Sequence, residues 1–194
     1  MSNESYKRWH RPNMSPNAKS KQGYAKITNT EKYIGNPGLI IYRSSWEFSF
    51  IRYCDMSPSV LRWSSEPIKI PYYDRVSRLA ECKKYGLDPN NPKNWVIKNY
   101  NTDFWFELDK GNGETEKMFV EIKPSNKLRK PIPPEKNATL KEQRKFIKAA
   151  KEYLINEAKF AALKSWAEKH DSKFYVFTEK TLEKIIGRFW QENV

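Results

Sequence analysis

Apolar positions recur along this 194-residue chain with two different periods. Across residues 44–56, Trp46, Phe50, Ile51 and Cys54 fall on one face at helical spacing, which predicts a helix. Ser44, followed three residues later by Glu47, is a capping-box pattern that starts it. Residues 60–73 have strand composition, with Pro67 and Pro71 marking an edge or a bend. The clearest unit is 100–123, where two alternating runs flank Gly111-Asn112-Gly113, the permissive backbone of a hairpin turn. Residues 139–170 keep an apolar face through Phe146, Ala150, Leu154, Ala158, Ala161 and Trp166, as one long helix or two joined end to end. Residues 173–178 return to strand, and 179–190 close with a helix started at Thr178.

Between these elements the pattern breaks down. Residues 74–99 are rich in charge, Asn and Pro and read as an insertion, with a short helix near 76–85. Residues 124–137 form a Pro-rich basic loop. Residues 1–38 carry no period, which predicts a basic extended N-terminal arm ahead of one folded domain, 39–194. That arm holds seven Lys or Arg against two acids, with Tyr6, Trp9 and Tyr24 interleaved, a composition suited to nucleic acid or to a protein groove. The predicted order is arm, α, β, β, β, α, β, α: an α/β fold without repeats.

Charge narrows the function classes. The chain carries 36 Lys and Arg against 23 Asp and Glu, a net charge of +13, and so favours a polyanionic partner, with nucleic acid ahead of an anionic membrane. Cys54 and Cys82 are too few for a disulfide scaffold or a zinc site and fit a reducing compartment. His10 and His170 are far apart, which argues against a Ser-His-Asp triad or histidine–metal chemistry. No apolar run has the length of a signal peptide or a membrane span, so the expectation is a soluble intracellular protein.

One stretch stands out chemically. In residues 117–126, Met118, Val120 and Ile122 alternate as a half-buried strand should, yet Glu121 and Lys123 share the opposite face. Antiparallel pairing brings Asp103 beside them, so two carboxylates and an ammonium converge on one patch of sheet. Carboxylates can hold Mg²⁺, which polarises a phosphate and helps generate hydroxide. A lysine can orient the attacking water and stabilise developing charge. A Glu-x-Lys pattern alone means little, since residues 81–83 and 157–159 also have it; the hairpin context selects 121–123. The plainer reading of Glu121 and Lys123 is a cross-strand ion pair. Glu47 has a plainer role as the capping-box glutamate and a second one, presenting its carboxylate to the same metal. Glu66 is either a loop charge, an additional metal ligand, or a residue that orients Lys123.

Glu47, Asp103 and Glu121-x-Lys123 in this element order resemble the PD-(D/E)XK nuclease superfamily, with Thr102 standing where the motif's name has Pro. Its members share a restriction-endonuclease-like core, a central mixed sheet flanked by helices. The resemblance implies catalytic Glu47, Asp103, Glu121 and Lys123, with Glu47, Asp103 and Glu121 as ligands of Mg²⁺, for which Mn²⁺ can substitute. The wording of "KYIGNP", "IYRSSWEFSFIRYCDMSPSVLRWSSEPIKIPY", "TDFWFEL", "VEIKP" and "FYVFTEKTL" is similar to the head completion nucleases of T-even-type tailed bacteriophages. More distantly the chain resembles the endonuclease subunit of Tn7-like transposases. The phage resemblance implies a Mg²⁺-dependent nuclease acting on double-stranded DNA in head completion and head–tail joining. It also implies portal or neck proteins as partners, no membrane, and a place in the host cytoplasm during assembly or in the virion. In this reading Arg43, Arg62, Lys127, Arg129 and Lys130 contact DNA phosphates, with Asn156 and Lys159 as further candidates. Two alternatives stand beside it: a non-enzymatic DNA- or neck-binding assembly protein on a nuclease scaffold, and a transposase-type endonuclease subunit.

Overall fold

The structure is a computed structural model that describes residues 22–192. Its centre is a four-stranded sheet built around the hairpin. Strand β6 (Phe104–Gly111) turns through Gly111, Asn112 and Gly113, all at positive φ, into β7 (Glu114–Ile122). Strand β3 (Val60–Ser65) pairs antiparallel with β6, and β8 (Lys173–Phe177) pairs parallel with β7, giving the order β3-β6-β7-β8. The parallel pair requires a crossover. Helix α3 (Leu140–Lys169) supplies it as one continuous 30-residue helix, started by a capping box between Thr139 and Glu142.

Each face of this sheet buries a separate core. On one side lie α1 (Ser45–Met56) and α4 (Glu179–Glu192). The α1 residues Phe50, Ile51 and Cys54 are fully buried against Trp63, Phe104, Phe106, Met118, Val120 and Ile122. Phe50 is the hub, meeting the rings of Phe104, Phe106 and Phe177 edge-on at 5.0, 5.5 and 5.7 Å. On the other side α3 packs Leu163 and Ala167 against Phe119 and against a two-stranded ribbon, β4 (Lys69–Asp74) and β5 (Val96–Asn101).

Three expectations change. The run 60–73 is two strands in two sheets, because Glu66 takes a left-handed φ of 47° just before Pro67 and turns the chain out of the central sheet. The apolar spacing picked the face of α3 only in part: Ala158 and Trp166 pack against the core, but Ala161 is exposed. Full burial falls on Asn156, Leu163 and Ala167, with Leu140 and Ile147 of the first half 71% and 50% exposed. The helix spans about 45 Å, and its N-terminal half overhangs the domain. The third change concerns the arm, of which residues 1–21 lie outside the described residues. Residues 22–38 are not extended but belong to the folded domain. Strand β1 (Gly23–Tyr24) pairs with β2 (Ile41–Tyr42), and Ala25 is buried. The Thr28 and Asn29 N–H groups donate to the buried Asp55 carboxylate at 2.9 and 2.8 Å. Ile34 N–H donates to Trp63 O at 2.8 Å.

The expected insertion at 74–99 overlaps the ribbon strands, and only 75–95 connects them. That connection carries α2 (Leu79–Tyr85), which Gly86 ends at φ 64°. Among the described residues no helix is long and apolar enough to cross a membrane.

Candidate active site

The hairpin register assembles the acidic cluster. Phe104 pairs with Val120, so the next step of the ladder sets Asp103 opposite Glu121. The turn carrying Asp103 is held by backbone: Glu66 N–H donates to Asp103 O at 2.9 Å, and Thr102 N–H to Ile68 O at 3.1 Å. Asp103 Oδ2 accepts Ile122 N–H at 2.8 Å, which ties the first hairpin strand to the end of the second. Lys123 follows immediately, and its own N–H donates to Phe177 O of β8 at 2.9 Å. Its ammonium lies 2.9 Å from Glu121 Oε1 and 3.7 Å from Asp103 Oδ2.

Glu47 joins this group from the first turn of α1. Ser44 Oγ accepts Glu47 N–H at 3.2 Å, as a cap should. The glutamate does not complete the reciprocal half of the box on Ser44 N–H; its Oε2 accepts Arg43 N–H at 2.7 Å and its Oε1 accepts the Ser44 hydroxyl at 3.0 Å. Cap and site are therefore one arrangement. Burial, and then the charge of Asp103, push the Glu47 carboxyl above the usual range, partly offset by Arg43 N–H, Ser44 and Lys123.

The same field governs the other members. Glu121 is 2% exposed, and burial followed by Asp103 raises its carboxyl against the pull of Lys123 and Lys159. Burial works against the Lys123 ammonium, but Asp103, Glu121 and Glu47 outweigh it and hold Lys123 above the usual lysine value. Lys123 is thus a donor and a charge rather than a base.

Among the described residues no three His, Cys, Asp or Glu side chains already form a metal-ligating cluster. The donor set nevertheless fits a hard cation. Glu121 Oε2 is buried without any hydrogen-bond partner, an orphan oxygen of the kind Mg²⁺ satisfies.

The remaining candidates divide. The Arg43 guanidinium reaches Glu66 Oε1 through Nε at 3.0 Å and Nη2 at 2.9 Å. Arg43 therefore links the site twice, by its backbone to Glu47 and by its side chain to Glu66, whose own N–H holds Asp103. The Glu66 carboxylate has Arg43 as its partner, and its backbone takes a left-handed φ of 47°. Arg62 is not at the cluster's edge: it pairs with Glu107 at 2.6 Å, three residues up β3 from Ser65, roughly 10 Å along the strand. Lys127 pairs with Glu152 of α3 at 2.6 Å, while Arg129 and Lys130 are exposed in the following loop. Asn156 is buried.

Sequence reasoning gave Lys159 only a generic role and passed over Tyr100. The Lys159 ammonium lies over the rings of Tyr100 and Tyr72, 5.2 and 5.6 Å from their centroids. Burial lowers its pKa, as does Lys123, against the pull of Glu121 and Asp103. Tyr100 is raised by burial, then by Glu121 and Asp103, and its hydroxyl donates to Lys159 O at 3.1 Å. No local signal marks either residue, because β5 and α3 meet only in the folded chain.

The chain is similar to known proteins. Residues 57–179 match the family described as TnsA-like endonuclease N terminal, a span that contains Glu66, Asp103, Glu121 and Lys123 but not Glu47. The chain is also 31% identical over 157 residues to the head completion nuclease of Enterobacteria phage T4, covering 81% of this chain and 90% of that protein.

Proposed function

This chain belongs to the TnsA-like endonuclease N-terminal family and is a relative of a phage head completion nuclease, and from that premise we propose that it is a Mg²⁺-dependent nuclease of double-stranded DNA. One observation carries the reading: Asp103 opposes Glu121 across the hairpin, with the Lys123 ammonium reaching both. Asp103, Glu121 and Glu47 would hold the metal, and Mn²⁺ would serve in its place. When bound, the cation polarises the phosphate and acidifies a water. Lys123, kept protonated by its acidic neighbours, orients the attacking water and donates to the phosphate oxygens as charge builds on them. Arg43 holds Glu47 and Glu66 in place rather than meeting phosphate itself.

A basic stretch follows the Glu121–Lys123 strand in the chain and would serve as a track for the DNA backbone. Residues 127–151, the loop after β7 and the overhanging half of α3, carry nine Lys and Arg against two Glu. Arg129 and Lys130 lie in it, and duplex phosphates would lie along it. The role inferred from the phage relative is trimming DNA at the filled head before the tail joins. Portal or neck proteins would be the partners, in the host cytoplasm or the virion.

Supercoiled and linear DNA incubated with the purified protein, in Mg²⁺ or in EDTA, test the reading. Cleavage should require the metal and vanish in Asp103→Asn, with the fold checked by circular dichroism. Equal cleavage by wild type and Asp103→Asn, or cleavage that persists in EDTA, would overturn it.

A further inference from the structure

Along each hairpin strand, alternate residues share a face and stand roughly 6–7 Å apart. One such step from Asp103 lies Trp105, and one step from Glu121 lies Phe119, and these two rings pair directly across the hairpin. They border an open cavity of about 630 Å³ on the same face of the sheet as the acidic cluster. The cavity has two walls. One is the segment after β2's partner strand, with Tyr33 and Asn36. The other runs from Ser65 through Glu66, the segment whose Glu66 N–H is bonded to Asp103 O. Cavity and acidic cluster are therefore neighbours on the same two strands, joined through Glu66.

The lining is mixed in an informative way. Trp105 and Tyr33, both half-buried, give flat apolar surface over the buried Phe119, and Asn36, Ser65 and Glu66 give a polar rim. Asn36 Oδ1 accepts Gly38 N–H at 2.9 Å, while its amide nitrogen has no hydrogen-bond partner among the described residues. The turn that forms this wall depends on Gly35 at φ 133°, a conformation that side-chain-bearing residues rarely adopt. Aromatic surface with polar groups at its edge is how proteins receive a nucleobase taken out of its stack.

We propose that this cavity is a base-binding subsite, receiving an unstacked DNA base next to the phosphate held at Asp103 and Glu121. The proposal rests on the nuclease reading and deepens it by naming the form of DNA preferred. Extracting a base from an intact duplex costs unpairing and unstacking, and least where the base is already unpaired. The enzyme is then selective for DNA structure rather than sequence, favouring frayed ends, forks and mismatched stretches over continuous duplex.

The test uses the full chain and forked oligonucleotides with 2-aminopurine at the unpaired position beside the junction, bound in EDTA so that nothing is cut. Binding should shield the probe from acrylamide quenching, and forked DNA should bind about 10-fold more tightly than paired DNA of the same length. Ser65→Met, which fills the rim, and Trp105→Leu, which removes the flat surface, should each bring that ratio close to one. Ser65 is only half-buried, so its variant keeps the test valid should Trp105→Leu fail to fold. A probe that stays fully quenchable in the complex, or a 10-fold ratio that survives Ser65→Met, overturns the subsite even if Mg²⁺-dependent cleavage is observed. Shielding without any cleavage in Mg²⁺ would leave the subsite standing and remove the nuclease reading instead.

Discussion

Replacing Lys123 with Met removes the cation on which three carboxylates depend. Its ammonium lies 2.9 Å from Glu121 Oε1 and 3.7 Å from Asp103 Oδ2, and Glu47 adds to the same field. The Glu121 side chain is 3% exposed, those of Lys123 and Asp103 about a quarter. Stripping one partner from a buried pair costs about 3–5 kcal/mol; the partial exposure of two members brings the expected loss to about 2–4 kcal/mol. The loss should depend on pH. Glu121 already titrates above its ordinary value of 4.5 in the folded protein, so its ionised form opposes folding, and stability falls as pH rises from that value through the raised one. Without Lys123 the raised value moves higher still, and the variant's penalty should be larger at about pH 8 than at about pH 5. Urea unfolding followed by circular dichroism at both pH values measures it, and Mg²⁺ should restore more stability to the variant than to wild type. DNA cleavage should be lost under every condition. An equal penalty at both pH values, or cleavage at the wild-type rate, would refute the assignment of Lys123 as the shared countercharge.

Other outcomes follow from other parts of the molecule. Asp55→Ala orphans the Thr28 and Asn29 N–H groups and should cost about 2–4 kcal/mol in urea unfolding, a loss too small to see if residues 22–38 were a free arm. Burial opposes ionisation of Asp74, but Lys98, the Ser77 hydroxyl and the Ser77 N–H outweigh it and hold the carboxyl at about 2. Its contribution of roughly 2 kcal/mol should be present above the ordinary value and be lost as pH falls toward 2, a slope that Asp74→Ala removes. Changing Lys141, Lys145 and Lys148 together to Gln should weaken DNA binding without altering unfolding, and reduce the slope of log affinity against log salt by about 2 to 3.

The hairpin that carries the acidic cluster could be read in the sequence because its signals are local. Gly111-Asn112-Gly113 sets the turn, and counting outward from it brings Asp103 to Glu121. Capping was equally local at Ser44. Where a residue's role depends on a distant contact, pattern failed. Residues 22–38 are held by a two-residue strand, the buried Ala25 and scattered hydrogen bonds to Asp55 and Trp63, which leave no period. Arg62 looked like a phosphate contact until its cross-strand neighbour proved to be Glu107. The apolar residues in the first half of α3 suggested a buried face, but nothing in the spacing tells that the helix extends beyond the sheet.

The central sheet also sets an order in time. Strands β6 and β7 are neighbours in the chain, joined by a tight turn, whereas β8 begins only at Lys173, after a crossover that starts at Ile122. Hairpins of the first kind close in about 1–10 μs, while pairing across long loops is slow. Asp103, Glu121 and Lys123 should thus come together early in folding, and Glu47 and the β8 support of Lys123 should arrive with the late, long-range contacts. Pulse-labelled amide exchange during refolding should protect Phe106 and Met118 before Phe177, whose N–H faces β7. Recovery of cleavage should keep pace with Phe177 and lag behind the hairpin that holds Asp103, Glu121 and Lys123.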